Sequence, residues 1–198
     1  MADTGAPWNI PFVEPTDLVR DYPAADEAQA LAVAAGLSAA GGLVAVKSAI
    51  FTGTQTNSTA AGANFAVTDL ELTHEVADAA NRLIITAFIG AAGNSQGLAN
   101  VGMAVQEGTD LISIGNADGV RTRMSTSVVM GAATTGNVGT HSLTIVHTPG
   151  AGSKTYTVRA LNTALATQTI FINRTEVDNN IVARPRAASA LVIQEVKV

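Results

Sequence analysis

From Leu43 onward, apolar and polar positions alternate in short runs, and each run closes on a cluster of Gly, Asn, Ser, Thr or Asp. A period of two puts successive side chains on opposite faces of a strand, and the clusters supply the turns between strands. The runs predict strands at 43–51, 64–75, 81–90, 98–107, 109–114, 121–131, 140–147, 154–162, 167–173 and 187–197. Short strands at this density predict a mainly β, antiparallel sandwich or barrel. Val101, Met103 and Val105 share one face, as do Met124, Thr126, Val128 and Met130. Leu83-Ile84-Ile85 and Leu191-Val192-Ile193 are apolar on both faces, so their strands are either central or covered by a neighbouring subunit. Parity slips between Val67 and Leu70, which predicts a bulge.

Ahead of the β region the pattern changes. Residues 23–42, PAADEAQALAVAAGLSAAGG, predict the one helix of the chain. Pro23 fits a first helical position, Asp26 and Glu27 face the positive end of the helix dipole, and Gly41 and Gly42 supply a stop. A helix this short needs a packing partner. Ala24, Ala28, Leu31, Ala35 and Ser38 form one small-residue seam, and Ala30, Val33, Leu37 and Ala40 another. These suit either packing on the β domain or a self-associated helical neck formed by Ala28, Leu31, Val33, Ala35 and Leu37. Residues 1–22 form an arm held extended by Pro7, Pro11 and Pro15. Its Trp8, Ile10, Phe12 and Val13 need cover, either from a docking partner or from the chain's own domain. The organisation expected is therefore arm 1–22, neck 23–42 and β domain 43–198.

If every strand reverses direction, the loops 52–63, 91–97, 115–120, 148–153 and 174–186 gather at the end far from the helix. Long loops on a rigid scaffold are where binding concentrates. Asn57, Asn94, Gln96, Asn116, Arg174, Asn179, Arg184 and Arg186 are the contact residues expected there. Three of the arginines share one loop, where they could grip an acidic sugar or a phosphate or simply be solvated.

Composition narrows the chemistry. A net charge of −5 with no basic stripe argues against a nucleic-acid partner. Disulfides and thiolate metal sites are excluded by the absence of cysteine. No apolar run reaches the length of a membrane span and the start lacks the basic, apolar order of a signal peptide, so the chain reads as soluble and made in the cytoplasm. Gly150-Ala-Gly-Ser-Lys-Thr155 and Gly90–Gly97 both miss the spacing of a phosphate loop and read as ordinary loops. His141 and His147 share a strand face but lie roughly 20 Å apart at about 3.3 Å per residue, too far to chelate one ion. His74 has no evident partner, and no carboxylates are paired as glycoside hydrolysis requires. Neither an enzyme, a cofactor nor a metal site is expected.

Three passages together resemble bacteriophage tail-fibre and related virion proteins, especially those of marine and cyanobacterial phages. They are Asn9-Ile-Pro-Phe-Val-Glu-Pro-Thr-Asp-Leu-Val-Arg-Asp21 leading into the alanine-rich run, Asn81-Arg-Leu-Ile-Ile-Thr-Ala-Phe88, and the end from Lys154-Thr-Tyr-Thr-Val-Arg-Ala-Leu161 to Ser189-Ala-Leu-Val-Ile-Gln-Glu-Val196. The resemblance implies a homotrimeric short tail fibre. Its arm would dock on tail or capsid proteins of the virion, and its C-terminal β-jelly-roll knob would contact a host cell-surface glycan or protein. A capsid decoration (cement) protein is the alternative. The closely spaced His-x-His by which some fibres hold an axial metal does not occur here.

Overall fold

The computed structural model describes residues 2–3, 11–12, 31–32, 42–95, 100–129, 138–182, 184 and 186–198. The chain divides into two units, residues 1–43 with 197–198, and residues 44–196. In the first, β1 (Ala2–Asp3) pairs antiparallel with β2 (Pro11–Phe12), and Leu31 and Ala32 are helical. The rest of the predicted arm and neck, with Trp8, Ile10, Val13, Ala28, Val33, Ala35 and Leu37, lies outside the described residues.

The second unit is a mainly β, two-sheet body, one of whose sheets curls into an open half-barrel. Among its described residues there is no helix. The larger sheet contains β3 (Leu43–Phe51), β4 (Gln55–Thr59), β6 (Arg82–Asn94), β10 (Gly139–His147), β12 (Gln168–Ile172) and β13 (Ser189–Val196). The smaller contains β5 (Asn64–Val76), β7 (Asn100–Glu107), β8 (Asp110–Ile112), β9 (Thr126–Val129) and β11 (Gly152–Asn162). Alternate residues of both sheets point into one shared core, including Leu70, Leu83, Ile85, Met103, Val158, Ile170 and Ile193. The bulge falls where the parity slip places it: Asp69 has a φ of 57°, and the β5–β11 register shifts opposite it, between Thr157 and Arg159.

Strand β6 is the spine of the larger sheet. On one side it pairs with β10 along nearly its whole length, from Leu83 to Ala92. On the other side it has two partners in succession, β13 along 82–88 and β12 along 92–94. β12 and β13 therefore run in the same direction along β6, as two halves of one strand interrupted by residues 173–188. Their outer neighbours are interrupted at the same line, since β3 lies beside β13 and β4 beside β12. A break across a sheet leaves backbone groups that need partners.

Asn173 supplies them. It is fully buried and sits in the left-handed region, at φ 60°, which asparagine tolerates better than most side chains. Its N–H donates to the Ala91 carbonyl at 2.7 Å, and its own carbonyl accepts from the Ala187 N–H at 3.2 Å. The side-chain amide donates to Phe51 O at 2.9 Å and to Gly53 O at 3.1 Å, holding the end of β3. Its Oδ1 accepts from the Ser189 hydroxyl at 2.6 Å, and Ser189 Oγ accepts from the Gly90 N–H at 3.1 Å. Gly90 must be glycine here, because a Cβ would lie 2.2 Å from the Ala188 carbonyl oxygen.

Several expectations are corrected. The predicted 52–63 loop contains β4, a polar strand, QTNST, that joins the sheet by pairing with β12. Residues 91–94 continue β6 where a loop is expected. The far-end grouping also fails, because β8 and β9 pair one after the other with the same side of β7 and so run in the same direction. That parity error reverses β10, β11 and β12: Gly152 pairs with Val76, which places 148–151 beside the 77–81 turn, and β13, running the same way as β12, regains the expected direction.

Replacing Asn173 with Ala strands the Ser189 hydroxyl and the Phe51 and Gly53 carbonyls and strains the backbone. We expect a loss of roughly 2–4 kcal/mol in urea unfolding, with Asn173→Gly recovering only the backbone share.

Candidate functional site

Two ends and one excursion distinguish the body. At one end, a second buried asparagine, Asn162, organises the loops. Its amide donates to Thr59 O at 2.7 Å and Ala166 O at 2.9 Å, and its Oδ1 accepts from the Ala164 N–H at 2.9 Å. Its backbone bonds to Gly62 and Ala63. Loops 60–63 and 163–167 are thereby tied together, and with 119–124 they surround an open groove of about 540 Å³, lined by Gly62, Arg121, Met124 and Thr163 among others. Val120 and Leu165 stand at its rim fully exposed, at 103% and 102%.

The opposite end is shut. There the register places His147, Leu83 and Glu195 in one inward row of the larger sheet. Across the core, Glu107, Tyr156 and Leu72 form the facing row, with His74 one inward position further along β5. Two His–Glu contacts of opposite sense span the sheets: His147 Nε2 to Glu107 Oε2 at 2.7 Å, and His74 Nε2 to Glu195 Oε2 at 2.8 Å. Glu195 is buried, and its other oxygen accepts from Asn81 Nδ2 at 2.6 Å and the Ala77 N–H at 2.9 Å. Burial works to raise the Glu195 pKa, but hydrogen bonds from Asn81, His74 and Ala77, with the attraction of His74, hold it below the usual carboxylate value. The Tyr156 hydroxyl between the two contacts is pushed up by burial, and further by Glu107, so it stays protonated and is a poor nucleophile. The arrangement fastens strands together; among the described residues no three ligands of metal-binding type converge.

Residues 174–186 are the excursion. They leave the sheet at Asn173 and return at Ala187, whose N–H bonds the Asn173 carbonyl, giving the closed neck of an Ω-loop. Arg174, Asn179, Arg184 and Arg186, all expected contact residues, come together here. Asp178 is the hub: Arg186 grips it with two bonds, at 3.2 and 2.7 Å, and Arg174 Nη1 lies 3.8 Å away. Arg174 also donates to Thr175 O and Glu176 O and lies over the Phe171 ring at 5.4 Å. A recess of about 480 Å³ lies between Asp178, Asn180, Arg184 and Arg186.

The other expected contact residues are dispersed. Asn57 lies on β4 and Asn94, buried, on β6, both in register with Ile170 and not in loops. Asn116 is exposed in the 113–124 segment, and Gln96 is outside the described residues. Of the docking and neck residues, Phe12 is paired with Ala2, and Leu31 is 64% exposed. Sequence reasoning missed the His74–Glu195 pair, whose members are 121 positions apart, although strict alternation along Leu191, Ile193 and Glu195 does put that carboxylate on the inward face.

No family model matches the chain, and no curated protein matches it. Among solved structures it is similar to a family two carbohydrate esterase from Cellvibrio japonicus, at 12% identity over 68% of this chain and 37% of that one. The TM-score is 0.15, so the likeness carries no argument about fold or chemistry.

Acid should loosen this body. Burial lowers the His141 pKa from 6.5 to about 4, and neither ring nitrogen has a hydrogen-bond partner among the described residues. As pH falls from 6.5 the unfolded chain takes up a proton that the folded one refuses. Stability present above pH 6.5 is therefore lost until about pH 4, on the order of 3 kcal/mol at ~1.4 kcal/mol per pH unit. Glu195, whose folded pKa is lowered, adds a further loss as its own carboxylate is protonated. Urea midpoints between pH 7 and 4 should drop steeply for the native chain and less for His141→Leu; equal slopes would contradict this account.

Proposed function

We propose that this chain is a structural protein of a phage virion, most simply a homotrimeric short tail fibre. It docks on the particle through residues 1–22 and meets a host-surface glycan or protein with its β body, a knob of jelly-roll type. The family is that of the sequence resemblance. The structural observation that supports the reading is the body's polarity. β3 ends beside Ser189, the first residue of β13, at Asn173, so β3 begins and β13 finishes at the end shut by the two His–Glu contacts. The groove rimmed by Val120 and Leu165 lies at the opposite end. The chain thus enters the body at the rigid end, and the exposed loops stand at the free one. The reading gives the body a binding role and no catalytic one, with no nucleic acid, membrane insertion, metal or cofactor.

One observation favours capsid decoration instead. Arg174 and Arg186, the side chains suited to an acidic receptor, are engaged by Asp178 within their own loop. A decoration protein would need such a loop to be stiff, not receptive.

Gold-labelled antibodies against the body, applied to phage particles from a host that expresses the chain, separate these readings. Label at the tail is the expected result. Label spread over the capsid would select the decoration reading, and particles free of label would overturn both.

A further inference from the structure

The outward faces of the two sheets differ sharply, although both obey the same alternation. On the smaller sheet the outward row reads Glu71, Thr73 and Glu75 on β5 beside Thr157, Thr155 and Ser153 on β11, a polar surface suited to water. Along the larger sheet the outward positions read Ile84, Thr86 and Phe88 on β6, with Val146, Thr144 and Ser142 on β10 and Gln194, Val192 and Ala190 on β13 in register on either side. β3 adds Val44, Val46 and Ile50 at the edge. Val146 and Ile50 are each 64% exposed, Val46 52% and Phe88 39%.

We propose that this face is where copies of the chain meet. The inference rests on the homotrimer of the proposed function and names its contact surface. Charge points to a second copy as the occupant. Molecules that each carry a net charge of −5 repel one another, so self-association requires a meeting surface without carboxylates. The outward positions of β3, β6, β10 and β13 hold none, and Arg82, at the rim, is their one charge. The hydroxyls at the centre are matched within the face, where Thr86 Oγ1 and Thr144 Oγ1 lie 3.3 Å apart, so the row can lose water without stranding both groups. The face is broad as well: four strands spaced about 4.8 Å apart and overlapping over about seven residues give a flat footprint of about 450 Å² per copy, before side-chain relief is counted. Ile84 and Val192, the middle residues of the two runs that are apolar on both faces, acquire their cover in this way.

Sedimentation equilibrium of the full-length chain tests the proposal. The native protein should run at three times the chain mass. Phe88→Asp with Val146→Asp should weaken association by roughly a hundredfold or more, since each copy would bring two unpaired carboxylates into a dry contact. Ser153→Asp, on the polar sheet, should leave the mass unchanged. An associated double variant overturns the proposal and leaves the homotrimer standing; a monomeric native chain overturns both the proposal and the homotrimer it rests on, while label on the virion tests the virion role separately from either. Thr86→Cys gives a readout that does not depend on the double variant folding. In a chain without cysteine it should form disulfide-linked dimers under mild oxidation at least tenfold faster than Ser153→Cys, and equal rates would count against the face.

Discussion

The body depends on how the larger sheet survives being broken. β6 is long enough to need two successive partners on one flank, and the strands that supply them stop at a common line. Every backbone group stranded there must find a bond or cost about 1–3 kcal/mol. One asparagine meets the need because it offers a backbone in the left-handed region together with a side chain that both donates and accepts. Through it β3, β6, β12 and β13 are tied at one point, and a loop of thirteen residues, 174–186, can leave mid-sheet without opening the core.

The two ends then diverge in chemistry. Polar groups at the shut end are turned inward and consumed in holding strands: Glu195 alone accepts from His74, Asn81 and Ala77, which fixes β5, the 77–81 turn and the last strand together. At the open end Asn162 does the converse, bonding its amide to loop backbones on either side of Leu165, an apolar tip held out in water. Buried polar residues thus set which end is rigid and which presents a surface.

How far this was legible in the sequence follows from the range of each interaction. Strands with apolar alternation, such as 140–147 and 187–197, stand in the structure within a few residues of where the period places them, because burial of one face is a local constraint. The bulge at Asp69 was legible for the same reason. β4 was not, since QTNST has no apolar face and becomes a strand only by pairing with β12 more than a hundred positions away. Nor was the end on which each loop falls, which depends on β8 and β9 sharing one flank of β7. Nothing local marks Asn173 as the place where the sheet is mended. For the candidate contacts, clustering of arginines in 174–186 was visible, whereas their capture by Asp178 was not, because that depends on how the loop folds back on itself.

Hydrogen exchange of individual backbone amides tests the central claim most directly. If Asn173 and its partners lock the sheet, the amides of Gly90, Asn173 and Ala187 should exchange only with global unfolding, as slowly as that of Ile85 in the middle of β6. Exchange of those three amides as fast as that of exposed residues 115–120 would mean that the break opens independently and that the sheet is held elsewhere.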